Sequence, residues 1–197
     1  MDEFEDRTDR DRSDTSLIVS KLQVAFQVHG NEQGIQRSLS GMTLRGTMAP
    51  GESLFCLLQR VADVLRDNED AWTHVAASSQ RVGSPEDAEI VFNRLSWEER
   101  EKLTLETSVS AQDGDRQQLT EPSTYLVVSL LLITADDQPL FGEMYSASVL
   151  RDVLQELVIM PDRTLLALDI LWNPQNSLDR LTEVELTTHY AELVAIA

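Results

Sequence analysis

Apolar residues recur along this chain with two different periods, and the switches between them mark out its elements. In "SLIVSKLQVAFQVHG", Leu22, Val24, Phe26 and Val28 alternate with Lys21, Gln23, Ala25 and Gln27, the pattern of a strand with one wet face. Ile35, Leu39 and Met42 fall at helical spacing, in a short helix limited by Gly41 and Gly46. Pro50 occupies a first-turn position, and Leu54, Leu57, Leu58, Val61, Val64 and Leu65 continue as a second helix. "AWTHVAASS" predicts a strand that ends at Arg81-Val82-Gly83. "SPED" then opens a helix with a serine cap, a proline and two early acids. The face of that helix is Ala88, Val91, Phe92 and Leu95, and a capping box of Ser96 with Glu99 predicts a kink or a new helix near Ser96.

"LTLETSVS" alternates again and predicts a strand, joined by the polar loop "AQDGDRQQLTEP" to "YLVVSLLLITA", so that the two would form an antiparallel hairpin. The uncharged run from Tyr125 to Ala135 ignores the two-residue period, as a strand covered on both faces does. It is too short for a membrane span: as a helix rising about 1.5 Å per residue it would cover roughly 16 Å of a hydrocarbon core about 30 Å thick. Val149, Leu150, Val153, Leu154 and Leu157 form a helical stripe after Ser146. "TLLALDILW" is a buried strand closed by Asn173-Pro174, and "TEVELTTHYAELV" opens a terminal helix on a Thr182–Glu185 capping box. The resulting order is β-α-α-β-α-β-β-α-β-α. It implies an α+β fold, a mixed sheet of about five strands packed with about five helices.

The 197 residues, 42% of them hydrophobic, are enough for one domain at 17–197, preceded by an acidic, disordered arm at 1–16. That arm has neither the apolar core of a secretory signal nor the acid-poor composition of a transit peptide. A formal net charge of −18 repels phosphate backbones, so nucleic acid is excluded as a partner, and it favours a basic protein face. Cys56, the single cysteine, sits among apolar residues and reads as a buried structural thiol.

The chemistry-bearing residues form no familiar pattern. His29, His74 and His189 lack metal-ligand spacing, no nucleophile elbow or glycine-rich phosphate loop is present, and "DGD" at 113–115 lacks the remaining ligands of a calcium loop. No catalytic, cofactor or metal residue is therefore assigned. The candidate interaction residues are large or charged groups beside element ends: Trp97, Glu99 and Arg100 after the Ser96 cap, and Trp172, Asn173, Pro174 and Gln175 at the end of the last strand. Trp172 is read as core or as the rim of a pocket.

"VSKLQVAF", "AEIVFNRLSWEEREKLTLET", "LLALDILWNPQ" and "LTEVELTTHYAEL" together resemble domain-of-unknown-function family 1517 of cyanobacteria and chloroplasts, over about residues 17 to 195. The motifs "LSxEER" and "LWxPQ" carry most of the likeness. The resemblance implies a thylakoid-associated protein without established enzymatic activity, linked to acclimation of photosynthesis. It also implies a location in the cyanobacterial cytoplasm at the thylakoid face, or in the chloroplast stroma after processing. Members of that family carry a glycine-rich hydrophobic region ahead of the domain where this chain has its acidic arm, so the expectation is either a soluble relative or a family domain without its anchor, with peripheral thylakoid association open to both. The leading expectation is a non-catalytic regulatory or adaptor domain with a protein partner. The alternatives are a small-molecule site near the strand ending at Trp172, sensory or enzymatic, and self-association through "LTLETSVS" as an edge strand.

Overall fold

A computed structural model describes residues 16–28, 34–43, 53–110, 124–175 and 181–196. Its order is β1 (Leu17–Val28), α1 (Gly34–Thr43), α2 (Leu54–Asp67), β2 (Trp72–Val82), α3 (Pro85–Ser110), β3 (Thr124–Ala135), α4 (Ala147–Ile159), β4 (Leu165–Asn173), α5 (Glu183–His189) and β5 (Val194–Ala195). The α+β expectation holds, with five strands in one sheet of order β4-β3-β1-β2-β5. Every pairing is antiparallel, so the mixed sheet resolves to an antiparallel one.

Period two assigns the faces. Leu22, Val24 and Phe26 of β1 stand beside Leu130, Val128 and Leu126 of β3, and with Ile170 and Trp172 of β4 they meet α1, α2 and α4 in the main core. The opposite face carries α3 over Leu17, Val19 and Val82, and α5 over Ala25, Tyr125 and Val127. The uncharged run is thus the interior strand β3, buried on both sides as anticipated.

Covering the second face corrects the wet-face reading of β1. Gln23 and Ala25 are fully buried, because α3 and α5 lie where solvent was expected. The largest correction concerns 103–110: "LTLETSVS" belongs to α3, which runs from Pro85 to Ser110 without a break at Ser96. Alternation over eight residues is also compatible with the end of a long helix, and the helix already under way decides between the two. The hairpin and the self-association edge built on that segment fall with it, and the loop expected to join it to β3 lies outside the described residues, as does the N-terminal arm to residue 15.

Smaller differences follow the same logic. Ser53, whose hydroxyl accepts from the Cys56 backbone N–H, caps α2 in place of a start at Pro50, and Gly41 lies inside α1. Cys56 is exposed, on the outer side of α2's first turn. The caps expected at Ser84 and Thr182 are in place, and Ser146 caps α4, but α5 ends at His189 and the chain returns as β5 beside His74 and Val75. The observed order is accordingly β-α-α-β-α-β-α-β-α-β.

Candidate functional site

The core-facing stripe of α3 continues from Ala88, Val91, Phe92 and Leu95 to Glu99, Lys102 and Leu103, at helical spacing. Position 99 therefore projects onto the sheet, and its carboxylate is only 3% exposed. Beneath it, register sets Gln23 of β1 opposite Ser129 of β3, both on the α3 face. Glu99 Oε1 accepts from Lys21 Nζ at 3.1 Å and Lys102 Nζ at 3.0 Å, while Oε2 accepts from Gln23 Nε2 at 3.0 Å and Ser129 Oγ at 3.0 Å. Four donors on one carboxylate offset a desolvation cost that a bare ion pair in a core does not recover. Gln23 Nε2 also donates to Ser129 Oγ at 3.2 Å, which closes a hydrogen-bonded triangle of the three side chains.

The cluster opens outward through Glu192, in the turn after α5. Its Oε1 accepts from Lys102 at 2.7 Å and Lys21 at 3.3 Å, so two ammonium groups bridge two carboxylates. Lys102 Nζ also lies 4.4 Å from the centre of the Tyr190 ring, and the Tyr190 hydroxyl accepts from Asn173 Nδ2 at 2.9 Å. A second polar link pins α3 to β4: Ser96 Oγ donates to Asp169 Oδ2 at 2.7 Å, and Arg100 reaches the same oxygen at 2.8 Å.

These contacts sort the seven residues singled out from the sequence. Glu99, Arg100 and Asn173 share the α3 side of the sheet. Trp172 points to the other side and is buried in the main core, so the rim position is not taken. Trp97 is 66% exposed on the outer face of α3, with its indole N–H donating to Glu101. The Pro174 carbonyl accepts from Gln36 of α1, and Gln175 is exposed. Ser96 and Glu99 do not form the capping box: mid-helix, each side chain is spent on the sheet. Between Glu99, Ser129, Asn173 and Tyr190, beside the backbone of Trp172, there is no room for the centre of a water molecule. On the α3 side of β4 the space between these described residues is too small for a ligand.

Lys21, Gln23, Lys102, Ser129, Tyr190 and Glu192 were not singled out. The available signal was polarity out of place: Ser129 interrupts an uncharged run, and Lys21 and Gln23 interrupt a strand. Among the described residues no group of three or more His, Cys, Asp or Glu side chains is arranged to hold a metal ion.

From the Lys21–Glu192 pair, a groove of about 320 Å³ runs along the outer side of β2. Val75, Ala77, Met144, Tyr145, Glu143 and Glu192 are among the residues that line it.

A sequence profile described as a protein of unknown function, DUF1517, matches residues 16–196. The chain belongs to the DUF1517 family. Two relatives are similar along most of it. FLUCTUATING-LIGHT-ACCLIMATION protein 1, chloroplastic, of Arabidopsis thaliana is 29% identical over 186 residues, 91% of this chain and 46% of that protein. Protein FLAP1 homolog A of Synechocystis sp. is 25% identical over 195 residues, 92% of this chain and 57% of that protein. The DUF1517 chain thus spans about half the length of these two relatives. No solved structure matches it significantly. Among the described residues no helix is long and apolar enough to cross a membrane.

The outer end of the cluster sets a pH dependence for this DUF1517 domain. Partial burial pushes the Glu192 carboxyl up, but the hydrogen bond from Lys102, a backbone N–H and the charges of Lys102 and Lys21 outweigh it, and the net shift is below the ordinary value of 4.5. Between the folded and unfolded pKa values the unfolded chain binds more protons, so this contribution is complete above pH 4.5 and is lost as pH falls through the folded pKa. Thermal unfolding followed from pH 7 to pH 3 should show Glu192→Gln losing less stability across the acid range than the wild type. Parallel curves would remove Glu192 from the account.

Proposed function

We propose that this chain is a regulatory or adaptor domain that serves the acclimation of phototrophs to changing light by holding a protein partner. The observation that carries the reading is similarity along nearly the whole chain to two relatives, one chloroplastic and one cyanobacterial, the first named for fluctuating-light acclimation. The fold supports it in kind. The buried carboxylate of Glu99 is saturated by four donors and is better suited to fixing α3 on the sheet than to moving a proton. The groove beside it is open and is bordered by both charged and apolar groups, as a contact surface requires. Within this reading the domain works at the thylakoid surface, on the cytoplasmic side in a cyanobacterium or the stromal side in a chloroplast.

Inactivating the gene in its own host and recording chlorophyll fluorescence under alternating and steady light tests the physiological half. The expected result is a slowed recovery confined to alternating light; equal traces under both regimes would overturn it. Affinity capture from thylakoid and soluble fractions at low and moderate salt tests the adaptor half, which fails if nothing is recovered above background.

A further inference from the structure

Beyond a short pairing with β5, the outer side of β2 has no neighbouring strand among the described residues. β5 pairs with only His74 and Val75, while β2 continues to Val82. Phase along the edge is set by the Ile196 N–H donating to the Thr73 carbonyl at 2.9 Å. Backbone groups alternate sides along a strand, so Val75, Ala77 and Ser79 turn theirs away from β1, and Ala76 and Ser78 turn theirs toward it. Beyond Val75 no strand among the described residues takes up this edge.

The groove straddles that edge. Ala77 projects to the side where Met144 and Tyr145 lie, the latter 61% exposed, and Ser78 projects to the side of Lys21 and Glu192. An added strand would set alternate side chains against Met144 and Tyr145 on one side and near the Glu192 carboxylate on the other, with Glu143 at the rim.

We infer that this edge binds an extended, basic segment of a partner protein by strand addition, with alternating apolar and cationic side chains. The inference rests on the adaptor reading and names its surface. Charge selects the occupant. The walls carry Glu143 and Glu192, Lys21 is already shared between Glu99 and Glu192, and the whole chain is at −18. A second copy would bring like charge against like charge. The chain's own stretches at 1–15 and 111–123, outside the described residues, hold more acids than bases and meet the same repulsion. Main-chain hydrogen bonds would supply affinity and the alternation of side chains the specificity, as in other strand-addition complexes.

The test uses a fluorescein-labelled seven-residue peptide of alternating lysine and valine, the same peptide N-methylated at alternate residues, and its glutamate–valine counterpart, each titrated by fluorescence anisotropy against the full chain. The lysine peptide should bind saturably and slow amide exchange at Ala77 and Ser79. N-methylation leaves charge unchanged while removing ladder donors, and should weaken binding by about tenfold or more. The glutamate peptide should not bind. Ala77→Pro deletes one outward N–H where an edge strand tolerates proline, and Glu143→Lys reverses a rim charge; each should weaken binding by about fivefold or more. Equal binding of the methylated peptide, or unchanged affinity in both variants, overturns strand addition. Affinity capture separates the two readings. A partner held equally by wild type and Ala77→Pro leaves the adaptor reading standing and removes this surface, whereas peptide binding by a chain that captures nothing removes the adaptor reading alone.

Discussion

Glu99→Ala is expected to lower the unfolding free energy by about 3–5 kcal/mol, the range for removing one partner of a buried charge pair. The loss follows from what is left behind. Lys21 and Lys102 would keep only Glu192 as a carboxylate partner, while the Ser129 hydroxyl would lose its acceptor and Gln23 Nε2 one of its two. Urea unfolding monitored by circular dichroism measures the change. Arg100→Ala, one residue away but half-exposed, provides the contrast at about 0–1 kcal/mol. Similar losses in the two variants would mean that Glu99 is not the point at which α3 is fixed to the sheet.

Phe26→Ala should cost about 3–5 kcal/mol for a different reason, the cavity left by a large apolar side chain. Phe26 is fully buried on the main-core face, next to Leu126 across one ladder and Trp72 across the other, where β2 carries one extra residue, Thr73, opposite the Ala25–Phe26 step. Trp72 is itself held by its indole N–H donating to the Leu65 carbonyl of α2, so the void could not readily collapse. The control is Leu166→Ala on the edge strand β4, half-exposed and expected within about 0.5 kcal/mol of wild type. A small loss at Phe26 would place that residue outside the core and undo the assignment of faces.

How far the amino-acid pattern could lead is clearest at particular residues. The run from Tyr125 to Ala135 announced a doubly covered strand because length and lack of charge leave a strand few other places to go. The caps at Ser84 and Thr182 were readable because the residues that make them are neighbours in sequence. Glu99 was not readable in its true role. "SWEE" satisfies a local capping pattern, and what overrides it is a set of donors from β1 and β3, 78 and 30 residues away. The same non-local effect hid β5, whose two residues gain strand geometry only from β2. The family likeness, by contrast, was visible in short motifs such as "LSWEER" and "LWNPQ", which include the residues fixing α3 and ending β4.

The sheet is covered on both faces, while beyond Val75 the β2 edge has no strand beside it among the described residues, and native-state amide hydrogen exchange on the isolated chain reads both properties in one experiment. Amides from Leu22 to Val24 on β1, and the inward amides of Ala76 and Ser78 on β2, should exchange only through global unfolding, while those of Ala77 and Ser79 exchange orders of magnitude faster. Uniform protection from Ala76 to Ser79 would mean that the edge is already occupied, and fast exchange through β1 would mean that α3 does not seal the second face.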